Sequence, residues 1–138
     1  MARISLGLQN ELALGNLDAK RDWGYAPEYI RSMWLMLQQN KPDDYIIATN
    51  ELHTVRELAE KAFEKVGLDW KQYVQTDEKL MRPTDVNFLQ GDNSKARDNL
   101  GWQPQVKFNQ LVEIMVKHDL ERWQRHKRGE TFPWDIQP

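Results

Sequence analysis

Cysteine is absent from the 138-residue sequence. That excludes disulfides, Cys-ligated zinc, iron–sulfur clusters and a thiol nucleophile, and it fits a reducing compartment such as the cytoplasm. No apolar run reaches the ~18 residues of a membrane span. The opening segment, Met1-Ala2-Arg3-Ile4-Ser5, lacks the long apolar stretch of a secretory signal. An excess of charge of either sign is also missing: 19 Lys and Arg face 21 Asp and Glu, a net charge of -2. So even a balance argues against a protein that coats nucleic acid. There is no Gly-x-Gly-x-x-Gly loop for a dinucleotide and no phosphate loop ending in Gly-Lys-Ser/Thr. His-Glu-x-x-His, Gly-x-Ser-x-Gly and Tyr-x-x-x-Lys are absent too. His53, His118 and His126 have no metal-ligand spacing, and the last two read as the surface of one helix. No catalytic, cofactor-binding or metal-ligating residue is therefore expected in this chain.

What is present suits one ordinary domain. The sequence is 40% hydrophobic and 29% charged, with six Trp, which is enough apolar material for a core. Residues 1–24 carry scattered glycines and read as short strands and loops. Pro27 suits the first turn of a helix, and Tyr29, Ile30, Met33, Trp34 and Leu37 continue it at helical spacing to about Gln39. Lys41-Pro42-Asp43-Asp44 reads as a turn. Tyr45-Ile46-Ile47-Ala48-Thr49 is a continuous β-branched run that predicts a strand buried on both faces. Thr54 and Glu57 have capping-box spacing, followed by the stripe Leu58, Ala62, Phe63 and Val66 and a stop at Gly67. A brief strand is predicted over 73–76. Helices are predicted over 93–100, closed by Gly101, and over about 108–128. Strand and helix alternate, so the class is α/β and helix-rich. The domain is expected over 1–128, with an irregular tail over 129–138.

Two local patterns draw attention: Lys20-Arg21-Asp22-Trp23-Gly24 and Arg82-Pro83-Thr84-Asp85. A guanidinium offers two parallel charge-assisted hydrogen bonds to a phosphate. Pro83 holds Arg82 extended and lowers the entropy lost on fixing it. Asp85 is placed to accept from ribose hydroxyls. Two arginines on one diphosphate is one reading; the other pairs each with its neighbouring acid, Asp22 or Asp85, as a surface bridge.

At these residues the chain resembles the GDP-mannose 4,6-dehydratase family of extended short-chain dehydrogenase/reductases. The resemblance runs from about Ala2 to Arg122. It is carried by Leu14-Gly15-Asn16-Leu17-Asp18-Ala19-Lys20-Arg21-Asp22-Trp23-Gly24 and Met33-Trp34-Leu35-Met36-Leu37-Gln38-Gln39, then by Pro42 to Thr49, Arg82-Pro83, Ser94-Lys95-Ala96-Arg97 and Leu100-Gly101-Trp102. It implies the C-terminal, substrate-binding domain of such an enzyme, without the N-terminal Rossmann domain that binds NADP. The whole enzyme would convert GDP-mannose to GDP-4-dehydro-6-deoxymannose, a precursor of GDP-fucose. Its catalytic Thr or Ser, Glu and Tyr-x-x-x-Lys would all lie upstream.

The resemblance maps substrate-binding roles onto Arg21 and Arg82, for the diphosphate, and Asp85, for the ribose. Asp85 stands where the family usually has Glu. Lys107 replaces the hydroxyl expected to cap the last helix, a change typically worth about 1 kcal/mol. The chain alone is expected to bind no NADP and to be inactive. Its expected partners are GDP-mannose, the Rossmann domain and further copies of itself, with no nucleic acid and no membrane. In the family the 45–49 strand joins the Rossmann sheet, so its edge is expected to be unpaired here, with Trp23–Trp34 as the exposed patch. A non-catalytic interaction subunit and a related epimerase or reductase are the alternatives.

Overall fold

The computed structural model describes residues 1–82, 84, 86 and 88–132. Five helices carry most of the order: α1 (Ala2–Ser5), α2 (Ala26–Leu37), α3 (Val55–Glu64), α4 (Ser94–Leu100) and α5 (Phe108–Lys127). Four short strands complete the α/β class: β1 (Leu12–Leu14), β2 (Lys20–Arg21), β3 (His53–Thr54) and β4 (Val74–Thr76). β1 and β4 pair in parallel, Leu12 opposite Val74. β2 and β3 pair antiparallel, Arg21 opposite His53, and Lys20 also bridges to Phe88.

Local chemistry explains the helix ends. Thr54 accepts from the Glu57 amide at 3.0 Å while the Glu57 carboxylate accepts from the Thr54 amide at 2.9 Å, closing the capping box that starts α3. After α3 the chain turns through Gly67 at φ 71°, with the Leu68 amide donating back to the Phe63 carbonyl at 3.1 Å. Gly101 at φ 63° ends α4 in the same way. At the start of α5 the Gln110 side chain accepts from the Lys107 amide at 3.1 Å. Gln110 thus supplies one half of a cap that Lys107 cannot, and the Lys107 ammonium is used elsewhere, on Glu51 at 2.8 Å.

The core is divided in two. Ala96, Leu100 and Trp102 form one cluster with Tyr29, Leu35, Met36, Tyr45 and Ile47. Phe108, Val112 and Val116 form the other with Met1, Trp23, Leu58, Ala62, Val66 and Leu120. Trp102 and Val112 are almost fully buried, and such residues contribute about 1.5–3 kcal/mol each by leaving water.

Three expectations are corrected. Residues 2–5 form α1 rather than a strand or loop, because Ala2 and Ile4 bury against α5 and the Lys127 ammonium ties down the Leu6 carbonyl at 3.1 Å. Tyr45–Thr49 is extended but belongs to no ladder among the described residues. Tyr45 and Ile47 face the first cluster; on the other face Ala48 is buried beneath Gly91 but Ile46 is 58% exposed, so that face is covered only in part. Trp23 is not part of an exposed patch: it stacks on Phe108 at 6.0 Å between centroids. The exposed apolar stripe is Ile30, Met33, Trp34 and Leu37 of α2. No helix among the described residues is long and apolar enough to cross a membrane.

Candidate functional site

A cleft of about 430 Å³ opens where β2, the start of α2, the 46–48 run and the 89–91 segment meet. Arg21 and Asp22 form one wall, and α2 contributes Tyr29 beside them. Ile46, Ile47 and Ala48 make the floor, and Leu89, Gln90 and Gly91 the rim. One wall is therefore charged and the floor apolar, the mixture that orients a small polar ligand.

Arg21 is held before any ligand arrives. β2 pairs with β3 behind it, and its Nη1 donates to the Lys20 carbonyl at 2.8 Å and to the Val86 carbonyl at 2.7 Å. The second bond reaches 65 residues along the chain and tethers the segment that carries the rim. Asp22 is occupied differently from either sequence expectation. Its Oδ1 accepts from the Thr49 amide at 2.8 Å and the Thr49 hydroxyl at 2.6 Å, and its Oδ2 accepts from the Asn50 amide at 3.0 Å. Asp22 thus fastens the end of the floor to the wall.

Tyr29 is pressed against backbone. A Cβ on Gly24 would lie 2.1 Å from the Tyr29 hydroxyl, so any larger residue there would push the Tyr29 ring aside. Burial, then the Asp22 and Glu28 carboxylates, push the Tyr29 phenol above its ordinary value of 10. It is a neutral hydrogen-bonding group at physiological pH. Gly91 has a similar reason to be glycine: an added Cβ would meet the Ala48 Cβ at 2.3 Å. The rim lies directly on the floor.

Of the three expected site residues, Arg21 is in the cleft. Arg82 is exposed, beyond the turn at Glu78–Leu80, and is not part of the cleft lining. Asp85 lies outside the described residues. Sequence reasoning missed Tyr29, Gly91 and the Asn50–Asn93 contact behind the floor. Asn50 carried a faint signal, since Asn after an apolar extended run is a common left-handed residue, and here its φ is 62°. His118 and His126 are exposed on α5 as expected. No group of three metal-binding side chains occurs among the described residues.

The sequence profile of the family described as GDP-mannose 4,6 dehydratase matches residues 1–115. The chain belongs to the GDP-mannose 4,6-dehydratase family. It is 55% identical over 127 residues to GDP-mannose 4,6 dehydratase 2 of Arabidopsis thaliana, covering 92% of this chain and 34% of that protein. It is 46% identical to the human GDP-mannose 4,6 dehydratase, covering 88% of this chain and 37% of that protein. The chain therefore spans about a third of the length of these curated dehydratases.

Among solved structures, RMD from Pseudomonas aeruginosa complexed with NADPH superposes with a TM-score of 0.77 at 22% identity, covering 88% of this chain and 40% of that one. The dTDP-glucose 4,6-dehydratase of Bacillus anthracis in complex with NAD gives 0.75 at 19%, covering 90% and 38%. At this identity the likeness shows the fold alone: a helix-rich part of an extended short-chain dehydrogenase/reductase.

Proposed function

We propose that this chain is the nucleotide-sugar-holding part of a GDP-mannose 4,6-dehydratase, gripping the GDP moiety of GDP-mannose. The observation that carries the reading is the Arg21 guanidinium, held at the wall of the cleft by the Val86 carbonyl. A restrained planar donor loses little entropy on meeting a phosphate. Each charge-assisted hydrogen bond is worth about 1.5–3 kcal/mol. Arg82 and Asp85 are assigned to the same ligand, Arg82 as a second diphosphate contact and Asp85 on the ribose.

The whole enzyme, in this reading, converts GDP-mannose to GDP-4-dehydro-6-deoxymannose with NADP. This chain does not fit the cofactor. Its four glycines at positive φ, Gly7, Gly67, Gly101 and Gly129, each follow a helix. A phosphate cradle needs glycines that precede one. Cofactor and catalytic groups are therefore assigned to an N-terminal Rossmann domain. That domain would cover the open stripe of α2 and the exposed Ile46 of the Tyr45–Thr49 run. An apolar extended edge with no ladder partner suits strand addition, and in isolation it favours association between copies of the chain.

Calorimetric titration of GDP into the chain tests the reading. Binding is expected, weakened about tenfold or more by Arg21→Ala. Equal GDP affinity in the native chain and Arg82→Ala would remove Arg82 from the site. Mixing the chain with GDP-mannose and NADP is expected to yield no elimination product.

A further inference from the structure

We propose that the Asn50–Asn93 amide pair is a positioning device for Arg21. It sets the cleft from behind, without contact with whatever the cleft holds. The inference rests on the reading of that cleft as a diphosphate seat. Neither asparagine is part of the cleft lining, yet the two join the segments that form it.

Asn50 adopts φ 62°, a conformation that asparagine and glycine tolerate and most residues resist. Its side chain meets Asn93 reciprocally. Asn50 Nδ2 donates to Asn93 Oδ1 at 2.9 Å, and the Asn93 backbone N–H donates to Asn50 Oδ1 at 3.0 Å. Asn93 is 6% exposed, and its own Nδ2 donates to the carbonyl of Ala48, a floor residue, at 2.8 Å. Every donor and acceptor in the pair has one orientation that satisfies it. Flipping either side-chain amide would set like groups against each other, and at Asn93, which is buried, an unmet hydrogen bond is costly.

The pair closes a circuit that returns to Arg21. Asp22 holds the Asn50 amide. The Asn50 carbonyl accepts from Gln90 Nε2 at 3.1 Å, on the rim. The same segment offers the Val86 carbonyl to Arg21, and Arg21 adjoins Asp22. Floor, rim and arginine therefore share one support. Ala48, Thr49 and Asn93 are 5–6% exposed, so the floor end of this support is buried and has little freedom to relax, while Asn50 and Gln90 carry it out to the surface. Removing the amide pair unfixes the Asn50 backbone, whose carbonyl holds Gln90, and through that segment loosens the Val86 carbonyl that aims Arg21.

The test is a double-mutant cycle on GDP binding. Asn93→Ala is one arm. Asn50→Gly is the second, because it keeps the positive φ and removes only the amide. Each is expected to raise the GDP dissociation constant about tenfold in the native background and by less than about twofold in Arg21→Lys. Equal losses in both backgrounds would mean general loosening and would overturn the proposal, as would no loss in either. The Nε–H resonance of Arg21 supplies a readout that needs no ligand. It is expected to shift or broaden in both asparagine variants and to stay put in Lys61→Met. A native chain that fails to bind GDP would sink the diphosphate reading and leave that resonance to judge the pair. An Arg21 signal unmoved by either variant would then overturn the pair's role.

Discussion

The indole N–H of Trp102 donates to the carbonyl of Glu28 at 2.9 Å, joining residues 74 positions apart. Trp102 is 2% exposed at the centre of the first cluster. The Glu28 side chain meanwhile accepts from the Gln105 and Val106 amides at 2.9 and 3.1 Å. The N-terminus of α2 is thus pinned to the turn that leads into α5, and the cleft hangs from that joint. Trp102→Ala is expected to cost about 3–5 kcal/mol. Trp102→Phe keeps most of the volume and should cost much less. Urea unfolding of both variants checks this, and equal losses would argue that the ring's bulk is not what matters.

The capping box at α3 makes a smaller, local prediction. Thr54→Ala removes the acceptor for the Glu57 amide and should cost about 1 kcal/mol. Thr54→Ser keeps the acceptor and should recover most of it. Thermal melts of the two variants decide.

The Glu51–Lys107 pair predicts a pH dependence. The Lys107 ammonium at 2.8 Å holds the Glu51 carboxyl below its ordinary 4.5, against some opposing burial. A lowered carboxylate pKa stabilises the folded chain above the unfolded value. That contribution is lost as the pH falls below 4.5 and through the folded value. The pair is partly exposed, so it is worth only about 0.2–1 kcal/mol. Lys107→Met should therefore lower stability slightly at pH 7 and leave it unchanged near pH 2. Chemical denaturation at the two pH values measures the difference.

Gly91→Ala tests the packing of rim on floor. The new methyl would meet the Ala48 Cβ at 2.3 Å, and overpacking of this kind typically costs about 1–3 kcal/mol. GDP affinity should fall with it, because the rim must lift. A variant as stable as the native chain, with unchanged GDP affinity, would show that the 89–91 segment does not rest there.

The stripe of Ile30, Met33, Trp34 and Leu37 should drive self-association of the isolated chain. Sedimentation equilibrium is expected to show species larger than a monomer, reduced by the double variant Trp34→Gln, Leu37→Gln. A native chain that is monomeric at high concentration would contradict the assignment of this face as a docking surface.

Much of this was legible one residue at a time. The Thr54–Glu57 box, the stops at Gly67 and Gly101, the α2 stripe and the short β4 are all local signals, and each appears where its spacing placed it. Helix α1 was not legible, because four residues carry no periodicity and their order comes from packing on α5. The strand expected over Tyr45–Thr49 shows the same limit from the other side. Its residues suit two covered faces, and in this chain the second is covered at Ala48 but open at Ile46.

The sequence by itself determined helices α2 to α5, most of their ends and the family motifs around Arg21, because these depend on neighbours within a few residues. Only the tertiary structure decided that Asp22 would hold Thr49 and Asn50, and that Arg21 would lean on Val86. It alone placed Arg82 outside the cleft lining. Those choices depend on which distant segments burial brings together, and a hydrogen-bond partner tens of residues away leaves no spacing to read.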